Sequence, residues 1–497
     1  MIKENENTPL APPYKGGAGS ERLVSDVIDS STRKIIYGWL TFAISSLIFA
    51  GIFAFLVVMS RTPVIFNLFP RTDYIRVALV GHVILSFVIW FLAFEGLLWT
   101  LTSTVFLRRG LFCKHSGWAG LLLAISGTIL VVITAIAGLG EPKFVNYIPV
   151  LTHPVFYAGL ILLFAGMTIT LLNTFLTVFT AWREKTYEGR LPLFTYGMLI
   201  SGTAFMSAVT CFALSYYFHI LSPLRKIPVN LETLFWGGGH IQQFTNTITM
   251  VTVWLFMTYI VFKKMPVKET FSKLLFTFYL IFILPAPFIY FLYDTSSLEY
   301  TRAFTKLMEY GLGPSTGIFA IAILFTIVSK GVRELPWRKP EFSSLVLSMF
   351  LFALGGIISL TIYGYNTKIP AHYHGAIGGV TIAFMGFTNY VFSLLKKDTA
   401  ISKLAVVYPY VYGVGQSLFV IGMFIAGSHG VARKTFGAAQ QLDNTGKIIG
   451  MAITGFGGFI AILGGILFII YAIKRLTQSP DTKINEMEFT LEKGFSN

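Results

Sequence analysis

The sequence predicts an all-α polytopic membrane protein, a bundle of twelve transmembrane helices, and three observations carry that reading. Of its 497 residues 54% are hydrophobic and 12% charged, with a mean hydropathy of +0.69. A soluble domain of this size cannot enclose so much apolar surface. Stretches of about 20 apolar residues, the length a helix needs to cross a bilayer, recur along the whole chain. Lysine and arginine then concentrate in alternate loops, the pattern that fixes orientation in a membrane.

The spans follow one another with basic punctuation. The first, centred on Ile48, starts just past Arg33 and Lys34. The second (Phe91) and third (Ile129) are separated by Arg108 and Arg109, the fourth (Gly166) and fifth (Met206) by Arg183 and Lys185. Lys263 and Lys264 divide the sixth (Val251) from the seventh (Ile281), and Arg333 and Lys339 the eighth (Ile321) from the ninth (Leu354). Lys396 and Lys397 lie between the tenth (Ala383) and eleventh (Val420), and the twelfth (Ala461) ends at Lys474 and Arg475. The remaining loops are poorer in basic residues. Both termini are therefore expected in the cytoplasm, with every even-numbered helix entering from the outer face of the cell's inner (plasma) membrane.

This distribution makes the formal net charge of +15 a report of topology and not of a nucleic-acid partner. Residues 1–34 read as a cytoplasmic tail with no removable signal peptide, 35–475 as the transmembrane domain, and 476–497 as a second cytoplasmic tail. Two cysteines, Cys113 and Cys211, are too few for a disulfide framework or a zinc site. Without a Cys-x-x-Cys-His motif, any heme is held by coordination alone. No internal repeat is evident.

Histidine placement is the strongest functional signal. The eight are His82, His115, His153, His219, His240, His372, His374 and His429, and the predicted orientation leaves only His115 on the inner side. His82 lies just after Arg76, His240 after Glu232 and His374 after Lys368. At a rise of about 1.5 Å per residue, all three sit roughly 9 to 12 Å inside the outer boundary. An unpaired imidazole is costly there, and shared ligation explains why separate helices bring one to a common level; the alternative is that each bonds a neighbouring helix. His372 and His374 are two residues apart and point about 200° away from each other on a helix. They cannot grip one metal, but each can hold a different flat cofactor. Gly81, Gly237, Gly238, Gly239, Gly375, Gly378 and Gly379 crowd these positions and are expected to leave room for a porphyrin, with close helix packing as the alternative reading.

Glu95 is the carboxylate placed deepest in a span, which makes it a proton-transfer candidate. Thr100, Thr102, Ser103 and Thr104 follow it and offer a water chain toward the inner face, whereas a protonated side chain bonded to a neighbour is the plainer alternative.

The runs Gly-His-Val-Ile-Leu-Ser-Phe-Val-Ile-Trp-Phe at 81–91 and Ala-His-Tyr-His-Gly at 371–375 resemble those of the heme-copper oxidase superfamily, catalytic subunit I, which includes cytochrome oxidases and nitric oxide reductases. The resemblance runs through nearly all twelve spans and implies a bundle of that type. It implies two b-type hemes, a low-spin one bound by His82 and His374 and a high-spin one bound by His372. His240, in Gly-Gly-Gly-His-Ile-Gln-Gln-Phe, resembles the sixth-helix ligand of the non-heme metal, copper or iron. Arg433 and Lys434 resemble the basic pair that meets heme propionates, a contact with physical sense for a guanidinium and an ammonium. One departure stands out. The family's adjacent histidine pair in the seventh helix is missing: residues 274–294 contain no histidine. A single imidazole does not make a copper or iron site, and His153, His219, His429, Tyr290, Tyr293 and Asp294 are the other donors within conceivable reach.

The resemblance implies an oxidoreductase that takes electrons from a partner subunit, cytochrome c or a quinol and reduces O2 or NO at His372 and His240. A non-catalytic diheme electron-transfer or gas-sensing relative without the non-heme metal is the alternative. A twelve-span secondary transporter is a third, and it predicts symmetric halves around a midplane site.

Overall fold

A computed structural model of the chain describes residues 28–63, 65, 72–187, 190–221, 230–395 and 402–478. Among the described residues twelve helices are long and apolar enough to cross a membrane. They are α1 (Ser30–Arg61), α2 (Tyr74–Thr104), α3 (Lys114–Ile136), α4 (Pro154–Arg183), α5 (Leu193–His219), α6 (Leu231–Phe262), α7 (Glu269–Leu292), α8 (Leu298–Val328), α9 (Pro340–Ser359), α10 (Lys368–Leu394), α11 (Lys403–Ser428) and α12 (Thr445–Thr477). Each predicted span centre falls inside the helix of the same rank. A short antiparallel ribbon, β1 (Pro142–Lys143) with β2 (Val150–Leu151), lies in the α3–α4 connection. Most of the two predicted tails, and the Lys396–Lys397 pair, lie outside the described residues.

Polar residues start these helices by meeting backbone N–H groups that have no partner in a first turn. Asp29 accepts from Ser31 and Thr32 at the head of α1, Asn230 from Glu232 at α6, Ser402 from Ala405 at α11 and Asn444 from Lys447 at α12. His153 caps α4 in the same way, accepting from the Val155 N–H through Nδ1.

Two helices depart from regular α geometry. In α2 the residues Ile84–Ile89 form a π-helical turn that starts two residues after His82, closed by the Trp90 N–H on the Leu85 carbonyl. In α7, Pro285 and Pro287 break the run into short pieces, with a 3-10 turn at Ala286–Phe288, because each proline removes a backbone donor.

Toward the end of the bundle where α1 begins and α12 ends, α2 and α10 close on each other through aromatic rings. Phe94 stacks on Phe384 at 4.3 Å between centroids, and Trp90 and Phe91 meet the same ring edge-on at 6.2 and 5.7 Å. Below them Asn389 of α10 donates to the Tyr408 hydroxyl of α11 and accepts from Tyr471 of α12, at 2.9 and 2.6 Å. This half is solid core. His82 and His374 lie two to three turns beyond it, toward the opposite end.

Candidate functional site

Three of the twelve helices are enclosed by the others. In the apolar window of α2, α6 and α10, 72%, 89% and 83% of residues are buried, against at most 50% for the rest. These helices carry His82, His240, and His372 with His374. Yet His82, His372 and His374 are only half-buried, and Tyr373 between the pair is 36% exposed. Uncovered surface on enclosed helices marks interior space.

The His82 Nδ1–H donates to the Ala50 carbonyl of α1 at 3.1 Å, which leaves Nε2 as the lone-pair nitrogen. His374 lies within electrostatic reach of both His82 and Arg61. Its ring meets Phe419 of α11 edge-on at 4.8 Å, and its carbonyl accepts from Gln416 at 3.0 Å. Arg61 ends α1, places its guanidinium 4.6 Å over the Phe436 ring, and keeps its Nε buried without a hydrogen-bond partner among the described residues. Arg61 and Arg433 both act electrostatically on Tyr373. One compartment thus gathers two imidazoles and two guanidiniums from four separate parts of the chain.

His372 points the other way, as its two-residue offset requires. Its Nδ1–H donates to the Gly355 carbonyl of α9 at 2.8 Å, again freeing Nε2. Close approach of α9 and α10 makes that bond: a Cβ on Gly355 would lie 2.7 Å from the His372 carbonyl oxygen. Here the expectation about glycines is corrected. Gly81 packs on the Phe53 ring, Gly237 on Tyr290 and Phe304, Gly238 on Phe212, Gly239 on Tyr147, Gly375 on Gly355, Gly378 on Gln416, and Gly379 on Ser348 and Phe352. They are filled by neighbouring helices and loops, the small-residue packing usual in membrane bundles, and do not themselves provide the space.

His240 is fully enclosed, 2% exposed, with both ring nitrogens occupied. Nδ1–H donates to the Trp236 carbonyl at 2.8 Å, so Nε2 is the acceptor, and the Tyr147 hydroxyl donates to it at 3.1 Å. Tyr147 comes from the α3–α4 connection, which sequence reasoning passed over. That connection is clamped on both sides. The Asn146 N–H donates to Glu232 Oε2 at 3.0 Å, Arg433 donates to Asn146 Oδ1, and Lys434 donates to the Phe144 carbonyl. Burial, with Arg433 alongside, lowers the Lys434 ammonium to about 8, and Glu232 pushes against that shift. The basic pair is therefore engaged with the loop over the site.

Of the other donors, His219 gives its Nδ1–H to Ser215 and His429 to Ile425, each one turn back. Tyr290 of α7 accepts from the Tyr300 hydroxyl at 3.2 Å and lies against Gly237, one turn from His240. Tyr293 is exposed, and Asp294 accepts from Ser296. No group of three His, Cys, Asp or Glu side chains placed to hold a metal occurs among the described residues.

Glu95 is 0% exposed, and neither carboxyl oxygen has a hydrogen-bond partner among the described residues. The hydroxyls of Thr100, Thr102, Ser103 and Thr104 each donate to the carbonyl one turn earlier, at 2.6 to 2.8 Å. Their protons are thus spent along the axis of α2 itself.

The family described as cytochrome c and quinol oxidase polypeptide I matches residues 34–460. The chain belongs to this family. Among its relatives are an uncharacterized protein of Rickettsia prowazekii (strain Madrid E), 27% identical with 88% of this chain and 95% of that one covered, and one of Aquifex aeolicus (strain VF5), 28% identical with 70% and 82% covered. A solved chain from a heme-copper terminal oxidase dimer superposes with a TM-score of 0.73 at 19% identity, covering 91% of this chain and 85% of that one, and shares the fold. Membership in the oxidase polypeptide I family leaves the transporter alternative without support.

The oxidase family implies hemes and a non-heme metal, and the residues present answer differently for each. For heme the fit is good: His82 and His372 have their Nδ1–H fixed on a backbone carbonyl, the arrangement that orients a ligating imidazole, His374 faces the compartment of His82, and Arg61 with Arg433 supplies charge for carboxylates. For the non-heme metal it is poor, because His240 stands without fellow ligands.

Proposed function

We propose that this chain is a membrane-bound respiratory heme protein of the cell's inner (plasma) membrane, with both termini cytoplasmic and residues 35–475 as its heme-binding domain. When bound, a low-spin heme would relay electrons to a high-spin heme whose open position takes O2 or NO. His82 and His374 would hold the first, from two helices, and His372 would hold the second, from the opposite face of α10. The observation that carries this reading is the pair of half-buried imidazoles, His82 and His374, facing one compartment with Arg61 and Arg433 beside it. The chain would contribute imidazole ligation, burial and close spacing. Electrons arrive from a donor subunit, cytochrome c or a quinol at the outer side. Glu95, enclosed and unpartnered, is the residue we assign to proton uptake.

The test is optical and kinetic. Purified protein should show reduced-minus-oxidised heme bands and bind CO or NO when reduced, with turnover of O2 or NO. A protein with no Soret absorption refutes the reading. One observation favours a second reading, a diheme electron-transfer or gas-sensing protein: His240 has both nitrogens occupied and, among the described residues, no metal-ligand group around it. Ligand binding without turnover separates it from the first.

A further inference from the structure

We propose that the position which the family gives to a non-heme metal is taken in this chain by a hydrogen-bonded Tyr147–His240 pair, so that a phenol and an imidazole serve there without a metal. The inference deepens the proposed function and rests on it, together with the likeness of His240 to the family's sixth-helix metal ligand.

A metal and a phenol proton compete for the same electron pair. Because the His240 Nδ1–H is given to the Trp236 carbonyl at 2.8 Å, Nε2 carries the ring's one available lone pair, and the Tyr147 hydroxyl is on it at 3.1 Å. The rings lie 4.8 Å apart between centroids. The other rings against His240 are those of Trp236 at 4.6 Å and Phe304 at 6.3 Å, neither of which offers a metal donor. In α7, which carries the missing ligands in the family, Tyr290 turns its hydroxyl to Tyr300.

Tyr147 is built into place. Its φ of 67° puts a bulky residue in the left-handed region, a conformation that persists only where the surroundings over-determine it. Those surroundings are the Glu232–Asn146 bond, the Arg433–Asn146 bond and the Lys434–Phe144 bond, all on the short segment that leads into Tyr147. Residue 239 is glycine where any Cβ would collide with the Tyr147 ring. Next to the pair lies a small cavity with a mostly apolar wall, formed by Phe87, Val88, Leu92, Phe164 and Phe212 together with the Tyr147 ring. The segment is thus held by charge and shape onto one nitrogen.

The experiment uses the full chain in detergent. Wild-type protein is incubated with Cu2+, Zn2+ or Fe2+, freed of excess ion, and its metal content measured against heme. The expected result is no stoichiometric non-heme metal. A metal retained by wild-type protein and lost in His240→Ala overturns the proposal, and this arm reads whether or not heme is present. Tyr147→Phe keeps the ring on Gly239 and removes the hydrogen bond. With melting temperature and heme content unchanged, it should shift the C–O stretching band of the reduced, CO-bound protein. An unmoved band counts against the pair facing the ligand. Absence of heme bands altogether sinks the proposed function instead, so the two failures are told apart.

Discussion

His372 and His374 occupy one turn of one helix, yet their surroundings assign them different work. His372 is fixed on Gly355 of α9, while His374 looks across to His82 and Arg61. Replacing His372 with alanine should therefore abolish the high-spin signal and leave the low-spin bands largely intact, whereas His82→Ala or His374→Ala should do the reverse. Equal loss of both signals in every variant would contradict the assignment. Lys434 yields a prediction about pH. Its native value of about 8 is below the ordinary 10.5, so between these two values the unfolded chain binds the extra proton. Stability then rises with pH across that window and is flat below it. Melting temperatures measured through the window should show this slope, and Lys434→Met should flatten it.

Elements rather than residues set the aim of these side chains. The π turn at Ile84–Ile89 holds one residue more than an α turn would and lies between His82 and the aromatic clamp of Trp90, Phe91 and Phe94. Such turns occur mostly at functional sites. Deleting Ser86 should restore α geometry with the two halves of α2 turned only slightly relative to each other, because the wide turn already absorbs the rotation of its extra residue. The expected outcome is a folded protein that keeps its low-spin heme, as read from the reduced spectrum. Gly355→Ala is expected to act on the α9–α10 contact: with a Cβ 2.7 Å from the His372 carbonyl oxygen, the helices must separate. Overpacking of this kind costs roughly 1–3 kcal/mol, visible as a lower melting temperature together with a disturbed high-spin band. The interrupted α7 was legible in Pro285 and Pro287. The π turn was not, since Ile-Leu-Ser-Phe-Val-Ile carries no helix breaker, and only packing of the two halves of α2 against different neighbours selects it.

For the molecule as a whole, the twelve helices were legible because each needs about 20 apolar residues and each pair is punctuated by charge. The histidine positions were legible for a related reason, since polar rings inside apolar runs are conspicuous. Of what loops and helix ends bring in, Arg433 and Lys434 were legible only through the family resemblance, and Arg61 and Tyr147 escaped. Arg61 carries the one signal that could have been read, a cation closing an apolar span on the side poor in basic residues. Tyr147 carries none, because an aromatic residue in a connection acquires a role only through the path of the chain, here fixed by Glu232, Arg433 and Lys434. The glycines were misread for the converse reason: small residues near a site look like space, but in a membrane bundle neighbouring helices fill it. The central claim is that two hemes sit on opposite faces of α10. Pyridine hemochrome analysis of the purified chain, with wild-type and His372→Ala protein side by side, tests it most directly. Two b-type hemes per chain falling to one in the variant is the predicted result. A chain with no heme, or a variant that keeps both, contradicts it.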